Sequence, residues 1–188
     1  MYTLQTLFIT GYSVPFEASL LSFDCIASSV FKGGTCDNIF YPGDGNRLGW
    51  VAKGNGVGEW IQIQFNNDIV ISKLIYTHAW YGSMKKDDWG WSDWSDYNQA
   101  FKEVSFEFSD QSHTTVTLPD ISDEIHLSVD PPKLSSTLKI TAQSVYKHSK
   151  VCEPGTNKCK YQDNRYGIFH LRVYGVTKEG KCRINYII

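Results

Sequence analysis

An alternating pattern in residues 54–76 limits the fold of this chain more than any other feature of the sequence. Ile61, Ile63 and Phe65 are separated by glutamines, so that their side chains would share one face of a strand. A second alternating half follows, and the Asn-Asn-Asp sequence at residues 66–68 between the halves is typical of a tight reversal. The segment therefore predicts a β-hairpin with one buried face.

Length and charge exclude several classes of protein. The chain has 188 residues, 41% hydrophobic and 14% aromatic, which suits one β-rich domain with a sizeable core. A net charge of −2 without a long basic run argues against nucleic-acid binding and against a polybasic membrane anchor. No apolar run approaches the roughly 18 residues of a membrane-spanning helix. Residues 1–15 lack the pattern of a signal peptide.

The five cysteines favour disulfides, because none lies in a zinc-binding or CxxC pattern. Cys152 and Cys159 flank the turn-forming sequence Glu-Pro-Gly-Thr-Asn-Lys, which predicts a short bridged loop. Cys25 could pair with Cys36 or with Cys182, and the sequence does not choose between them. A cytosolic protein with reduced cysteines is the alternative, and the absence of an Asn-x-Ser/Thr site keeps it open.

Strand patterns continue beyond the hairpin, and helical patterns are almost absent. Short alternating segments occur at residues 101–109, 114–118, 124–129, 137–145 and 168–174. Together they predict an all-β fold, an antiparallel β-sandwich or barrel. The residues expected in its core are Ile61, Ile63, Phe65, Val104, Phe106, Phe108, Leu138, Ile140, Leu171 and Val173.

Three long connections separate these strands, at residues 31–49, 79–100 and 146–167. Connections of this length without secondary structure are usually functional in a compact domain. The ligand site is therefore expected on them.

Several sequence pieces also occur in a recognisable order and spacing. They are IASSVFKG at residues 26–33, GVGEWIQIQF at 56–65, FKEVSFEFSDQSHTTVTLPD at 101–120, LKITAQSVY at 138–146 and FHLRVYG at 169–175. In this order they resemble the discoidin or coagulation-factor C-type domain superfamily, which is galactose-binding-like. Within it they are most similar to the NADase-type glycan-binding domain pattern.

This resemblance implies a domain division and a type of site. It covers about residues 21–175 and leaves an N-terminal extension at 1–20 and a C-terminal tail at 176–188. The implied fold is a jelly-roll β-sandwich with ligand loops at one end. A calcium ion often holds one of those loops in such domains.

The calcium expectation rests on few residues. His170 stands where such families commonly have an acidic residue before the closing strand. The candidate loop at residues 37–46 offers Asn38 and Asp44 as metal ligands, whereas calcium takes about six to eight oxygen atoms. The alternative is that Pro-Gly and Asp-Gly pairs in this loop only make tight turns.

The segment MKKDDWGWSDWSDYNQ at residues 84–99 alternates tryptophans with aspartates and is too polar for a core strand. Aromatic rings stack on the C–H faces of sugars, and carboxylates and amides bond the hydroxyl rim. We therefore interpret it as a ligand loop; the alternative is that its tryptophans pack together to rigidify the loop. The predicted ligand-binding residues are Trp80, Tyr81, Asp88, Trp89, Trp91, Trp94, Arg165 and Tyr166.

Arg165 and Tyr166 enter this set because they close the third long connection, from which an arginine can bond a ligand rim in bidentate geometry. They could equally cap the end of the strand. His78 begins a long loop, but a lone histidine is more often a structural residue than a ligand.

Enzymatic chemistry finds no support in the sequence. Glu59 and Asp110 would be the candidate carboxylate pair, but Glu59 begins a strand and Asp110 lies in a hairpin turn. No Ser/His/Asp order or phosphate-cradling glycine loop is evident. The chain is not expected to be an enzyme.

Three functions remain. The leading hypothesis is a non-catalytic carbohydrate-binding, lectin-like module of a secreted or cell-surface protein, whose partner is a glycan or glycoprotein. The second is a protein-interaction or adhesion domain of the same fold, in which the aromatics bind a protein receptor. The third is membrane binding through exposed tryptophans, which the aspartates of residues 84–99 disfavour at an anionic bilayer.

Overall fold

The computed structural model describes residues 16–17, 23–31, 34–40, 49–78, 100–121, 123–146, 151–152, 159–160 and 166–177. Their secondary structure is almost entirely β, with one 3₁₀ helix, Cys36–Phe40. No helix in these ranges has the length and hydropathy that a membrane crossing requires. The strands are β1 Phe16–Glu17, β2 Phe23–Ala27, β3 Trp50–Val51, β4 Trp60–His78, β5 Phe101–Phe108, β6 His113–Thr117, β7 Ile125–Val145, β8 Val151–Cys152, β9 Cys159–Lys160 and β10 Gly167–Thr177.

Strand β4 is continuous where the sequence predicts a hairpin, so that prediction is wrong. Its first arm, residues 60–65, lies between β2 and β7, and its second arm, residues 69–78, lies between β10 and β7. The two arms do not pair with each other. Residues 66–68 form an exposed bulge opposite β7, and a bulge accepts the same Asn and Asp residues as a turn.

Strand β7 also unites two segments that the sequence separates, 124–129 and 137–145. Its exposed Pro131 and Pro132 fall where the ladder with β4 is interrupted, between the pairs of Ser128 and Lys133. Proline cannot donate to a ladder, so an interruption of this kind is where a strand tolerates it. The Asp130–Pro131 peptide bond is cis.

The long strands divide the fold into two layers. Layer one contains β2, the first arm of β4, the end of β7, β5 and β6. Layer two contains β1, β10, β3, the second arm of β4 and the start of β7. Every strand pair among the described residues is antiparallel, and the fold is the predicted antiparallel β-sandwich.

The core lies between the layers. Ile61 and Ile63 of layer one and Leu171 and Val173 of layer two are fully buried. All ten residues predicted for the core are at most 3% exposed, which confirms the predicted strand faces. At the open side of the sandwich, a cavity of about 110 Å³ lies between Leu74 and Leu127 of layer two and the aromatic rings of β5.

A disulfide joins Cys25 of β2 to Cys36 of the 3₁₀ helix, with a Cα–Cα distance of 5.7 Å. This is the local one of the two pairings that the sequence leaves open for Cys25. The helix packs against β3 and β10, so the bridge fastens layer one to layer two. Cys182 lies outside the described residues.

The sheet extends beyond the predicted domain edges. Strand β1 falls inside the predicted N-terminal extension, yet Phe16 pairs with Gly175 of β10. At the other edge β10 continues to Thr177.

Candidate functional site

Long connections begin and end together at one end of the sandwich, which we call the loop end. The connection 79–99 begins after His78, whose partner in β10 is Ile168. It ends before Ala100, whose carbonyl accepts a hydrogen bond from the backbone N–H of Tyr146 at 2.9 Å. Tyr146 is also the last described residue before the connection 147–165. The ends of two long connections are therefore adjacent in space.

The connection 41–48 reaches the same place. It leads through Gly49 into Trp50, and Trp50 pairs with Ile168 of β10. Gly49 has a φ of 62°, and a Cβ there would lie 2.3 Å from the Ile168 carbonyl oxygen. This close backbone approach requires glycine.

An aromatic cluster, which we call the floor, lies beneath the loop end. The Trp50 and Phe101 ring centroids are 6.1 Å apart, and Phe101 stacks on Tyr166 at 6.0 Å with an interplanar angle of 13°. All three side chains are at most 4% exposed. Trp50 begins β3, Phe101 begins β5, and Tyr166 directly precedes β10. Their packing therefore fixes the ends of the long connections relative to one another.

Tyr166 therefore lies elsewhere than the sequence suggested. It was predicted to bind ligand, but it is 4% exposed and packed in the floor. Burial raises the pKa of its phenol above the ordinary value. The sequence alone does not distinguish an aromatic residue at the end of a loop that faces a ligand from one that faces the core. The geometry here supports a structural role for Tyr166.

A hydrogen-bonded cluster of one carboxylate and two serine hydroxyls at the loop end was not identified from the sequence. Glu59 Oε2 accepts hydrogen bonds from the hydroxyl groups of Ser28 and Ser29, the latter at 2.8 Å. Ser28 Oγ accepts from the Trp60 N–H at 2.9 Å, and Ser29 Oγ accepts from the Lys53 N–H at 2.9 Å. Glu59 thus fastens residues 28–29 to the start of β4.

The same segment supports the floor. The backbone carbonyl of Ser29 accepts a hydrogen bond from Trp50 Nε1 at 2.9 Å. This bond satisfies the one polar atom of a buried indole. The only sequence signal for this arrangement is the Ser-Ser pair, and its partner Glu59 lies 30 residues further along the chain.

His78 is fully buried at the loop end. Its Nε2 lies 3.0 Å from the Pro119 carbonyl oxygen, and its ring makes an edge contact with Tyr76 at 5.1 Å. Desolvation lowers its pKa below the ordinary value, although the Pro119 hydrogen bond and the charge of Asp120 act in the opposite direction. A structural histidine, rather than a ligand, fits this position.

The carboxylates considered for catalysis lie at opposite ends of layer one. Glu59 is at the loop end, while Asp110 follows β5 at the other end. Asp110 Oδ1 accepts from the N–H and hydroxyl of Ser112, and these bonds lower the pKa of the carboxyl. The two groups do not form a carboxylate pair.

Seven of the eight predicted ligand residues lie outside the described residues: Trp80, Tyr81, Asp88, Trp89, Trp91, Trp94 and Arg165. Their ligand role stays a prediction.

The predicted calcium site is described in part. Asn38 Nδ2 donates to the Gly49 carbonyl at 3.3 Å, so this side chain already fastens the loop to the start of β3. Asp44 lies outside the described residues, and His170 is half-buried on β10. Within the described ranges, no group of three or more His, Cys, Asp or Glu side chains is arranged to hold a metal ion. Calcium binding stays a prediction.

The predicted bridge between Cys152 and Cys159 has support from the backbone. The two residues are directly opposite partners in the antiparallel pair β8–β9. Opposed residues in such a pair have Cα atoms about 4.5–5.5 Å apart, within the range that a disulfide spans. The bond itself stays a prediction.

Comparison with solved structures identifies the fold. A family 32 carbohydrate-binding module from C. perfringens NanJ, solved with galactose, aligns with a TM-score of 0.54 at 16% identity over 85% of this chain and 97% of that one. An F5/8 type C domain from Bacteroides fragilis aligns with a TM-score of 0.53 at 13% identity, covering 86% and 95%. This chain has the discoidin-like fold.

Other structures with the discoidin-like fold differ in ligand. A fucose-binding module from Streptococcus pneumoniae aligns with a TM-score of 0.52 at 9% identity over 86% of this chain and 99% of that one. No protein-family profile matches the chain. No curated protein matches it either. The similarity is therefore one of three-dimensional structure, and it confirms the galactose-binding-like fold that the sequence pieces suggested.

Proposed function

We propose that this chain is a non-catalytic carbohydrate-binding module that recognises a glycan at its loop end. One observation carries the proposal: the ends of the long connections lie next to one another above the floor of Trp50, Phe101 and Tyr166. A rigid base beneath long loops is the arrangement by which many folds present binding residues.

The composition of the connection 79–99 supplies the chemistry of this proposal. Trp89, Trp91 and Trp94 would offer rings for the faces of sugar units, and Asp88 would accept hydrogen bonds from hydroxyl groups. Trp80 and Tyr81 begin the same connection. Arg165 would donate from the neighbouring connection, whose base is adjacent.

The solved structures support a sugar ligand and leave its identity open. Modules of this fold were solved with galactose and with GalNAc-β-1,3-galactose, and others are described as fucose-binding and chitosan-binding. These sugars differ in hydroxyl pattern and charge, so the specificity of this chain would come from its own loop residues.

An extracellular or cell-surface location belongs to the proposal. The Cys25–Cys36 disulfide fits an oxidising compartment, where such bonds persist. A bridge between Cys152 and Cys159 would fit it as well.

The test is glycan binding by the folded domain and by single tryptophan variants. The wild type is applied to an immobilised panel with galactose-, fucose-, GalNAc- and glucosamine-terminated glycans, with and without added calcium. Trp89→Ala, Trp91→Ala and Trp94→Ala are then titrated against the strongest glycan. We expect at least one to lose roughly 5- to 150-fold in affinity at an unchanged melting temperature. A wild type that binds no glycan, but binds a protein receptor or anionic vesicles, would overturn the proposal.

A further inference from the structure

A short connection at the loop end carries side chains that no part of the proposed function uses. It joins β3 to β4 and comprises residues 52–59, all of them described. The Ala52 N–H donates to the Tyr166 carbonyl at 2.8 Å, and the Gly58 N–H donates to the Ala142 carbonyl at 2.8 Å. Both ends of the connection are therefore fastened to strands beside the floor.

Glycines hold this connection close to the protein. Gly56 is buried with a φ of +83°, and a Cβ on it would lie 2.5 Å from the Tyr166 ring. A Cβ on Gly54 would lie 2.1 Å from Glu59 Oε1. The backbone can rest on the floor because position 56 lacks a side chain.

The residues that alternate with the glycines of this connection face the solvent. Lys53, Asn55 and Val57 are all exposed, and Val57 is 57% exposed, the highest value among the large apolar side chains described. The ammonium group of Lys53 forms no ion pair with the residues that the structure describes. We call these three residues the 53–57 ridge.

The ridge has the chemistry of a sugar contact. Asn55 donates and accepts hydrogen bonds, Lys53 donates, and Val57 offers an aliphatic surface to a C–H face. The backbone is already fixed by Gly56, so a ligand would order only the side chains, which lowers the entropic cost of binding. The Ala52–Tyr166 bond also puts the ridge directly beside the end of the connection 147–165.

We propose that the 53–57 ridge forms one wall of the glycan site, with Asn55 and Lys53 bonding sugar hydroxyl or carboxyl oxygens and Val57 packing against the ring. This inference rests on the proposed function. It adds a binding surface to the proposed site. The segment that provides this surface contains no aromatic residue, and its glycines are its most distinctive sequence feature.

The test compares the ridge with a matched surface at the opposite end of the sandwich. The ridge variant combines Lys53→Ala, Asn55→Ala and Val57→Ser. The control combines Lys133→Ala, Asn67→Ala and Leu134→Ser, which removes the same three kinds of side chain near the bulge of β4. Each is titrated by calorimetry with the panel glycan that the wild type binds most strongly, and melting is recorded in parallel.

We expect the ridge variant to lose about 5- to 50-fold in affinity while the control binds as the wild type does, both with wild-type melting temperatures. If the ridge variant binds as tightly as the wild type while a tryptophan variant loses affinity, the ridge is no part of the site and the proposed function stands. If the wild type binds no panel glycan, both proposals fail together. Should the ridge variant melt early, single Asn55→Ala decides, because this exposed side chain can be shortened without disturbing Gly56.

Discussion

The two ends of the sandwich are built from the same strands and stabilised by different interactions. At the loop end, the Trp50, Phe101 and Tyr166 rings are buried beneath long connections. At the other end, which we call the corner end, the buried hydroxyl of Ser135 donates to the Thr137 carbonyl at 2.5 Å and accepts from the Ser109 N–H at 2.8 Å.

This difference follows from what each end must tolerate. At the corner end β4 and β7 pass between layers through bulges, so the side chains there replace interrupted ladder bonds. At the loop end β4 ends at His78 and the next strand, β5, begins only at Phe101. A packed aromatic floor needs no register with the residues that connect such strands. An end built in this way can present different loops on the same base.

The largest effect is expected from replacing either of two phenylalanines of β5, one near each end of the sandwich. Phe101→Ala and Phe108→Ala should each lower the free energy of unfolding by about 3–5 kcal/mol, because both rings are buried. Denaturant unfolding measures this loss. Only Phe101→Ala should also weaken glycan binding in the folded protein, because only Phe101 belongs to the floor. Equal binding by both variants would contradict the proposed difference between the ends.

The disulfide should have the next largest effect. The double variant Cys25→Ser with Cys36→Ser should lose about 3 kcal/mol, because it releases a loop of 11-residue separation in the unfolded chain. Thermal melting and non-reducing peptide mapping check this. Cys182→Ser is the control, and a comparable loss there would mean that Cys25 pairs with Cys182 instead.

Ser135 tests the corner end. Ser135→Ala should cost about 1–3 kcal/mol, since it leaves the Ser109 N–H without its acceptor. The exposed Ser128 of the same strand is the control, and Ser128→Ala should change stability by no more than about 0.5 kcal/mol. Glycan affinity should stay unchanged in both variants. A loss of affinity in Ser135→Ala alone would show that the corner end is coupled to the glycan site.

The smallest effect is a pH dependence of the loop end. The pKa of His78 is lowered by burial, so the unfolded chain binds this proton at a higher pH than the folded one. Its contribution to stability is therefore complete above about pH 6.5 and is lost as the pH falls from there toward the folded-state pKa. Melting temperatures between pH 8 and pH 5 should fall less in His78→Gln, whose amide retains a donor for the Pro119 carbonyl. Identical slopes would show that His78 contributes nothing to the acid sensitivity.

The sequence predicted the faces of strands better than their partners. The alternation of Ile61, Ile63 and Phe65 correctly identified a buried face, because side-chain direction is set locally. The hairpin prediction was wrong because the Asn-Asn-Asp sequence of residues 66–68 is as compatible with a bulge as with a turn. Pairing depends on β7, which lies about 60 residues further along the chain.

The geometry of the loop end could be predicted from the sequence only in part. The length of the connections predicted where the loops lie, and the structure shows that the ends of these connections are adjacent. Tyr166 could not be assigned, because burial of a ring at the end of a strand depends on Phe101 and Gly56 from distant segments. The cluster of Ser28, Ser29 and Glu59 was missed for the same reason.

The passage of β4 and β7 through both layers has a consequence for how the domain comes apart. Neither layer can separate from the other while keeping its own ladder, since each contains one arm of the same two strands. Amide protons in the two arms, such as those of Ile63 and Ile71, would exchange with solvent only when the entire domain opens. A protease that cleaved one of the long connections would therefore leave two fragments still held together as a single cooperative unit.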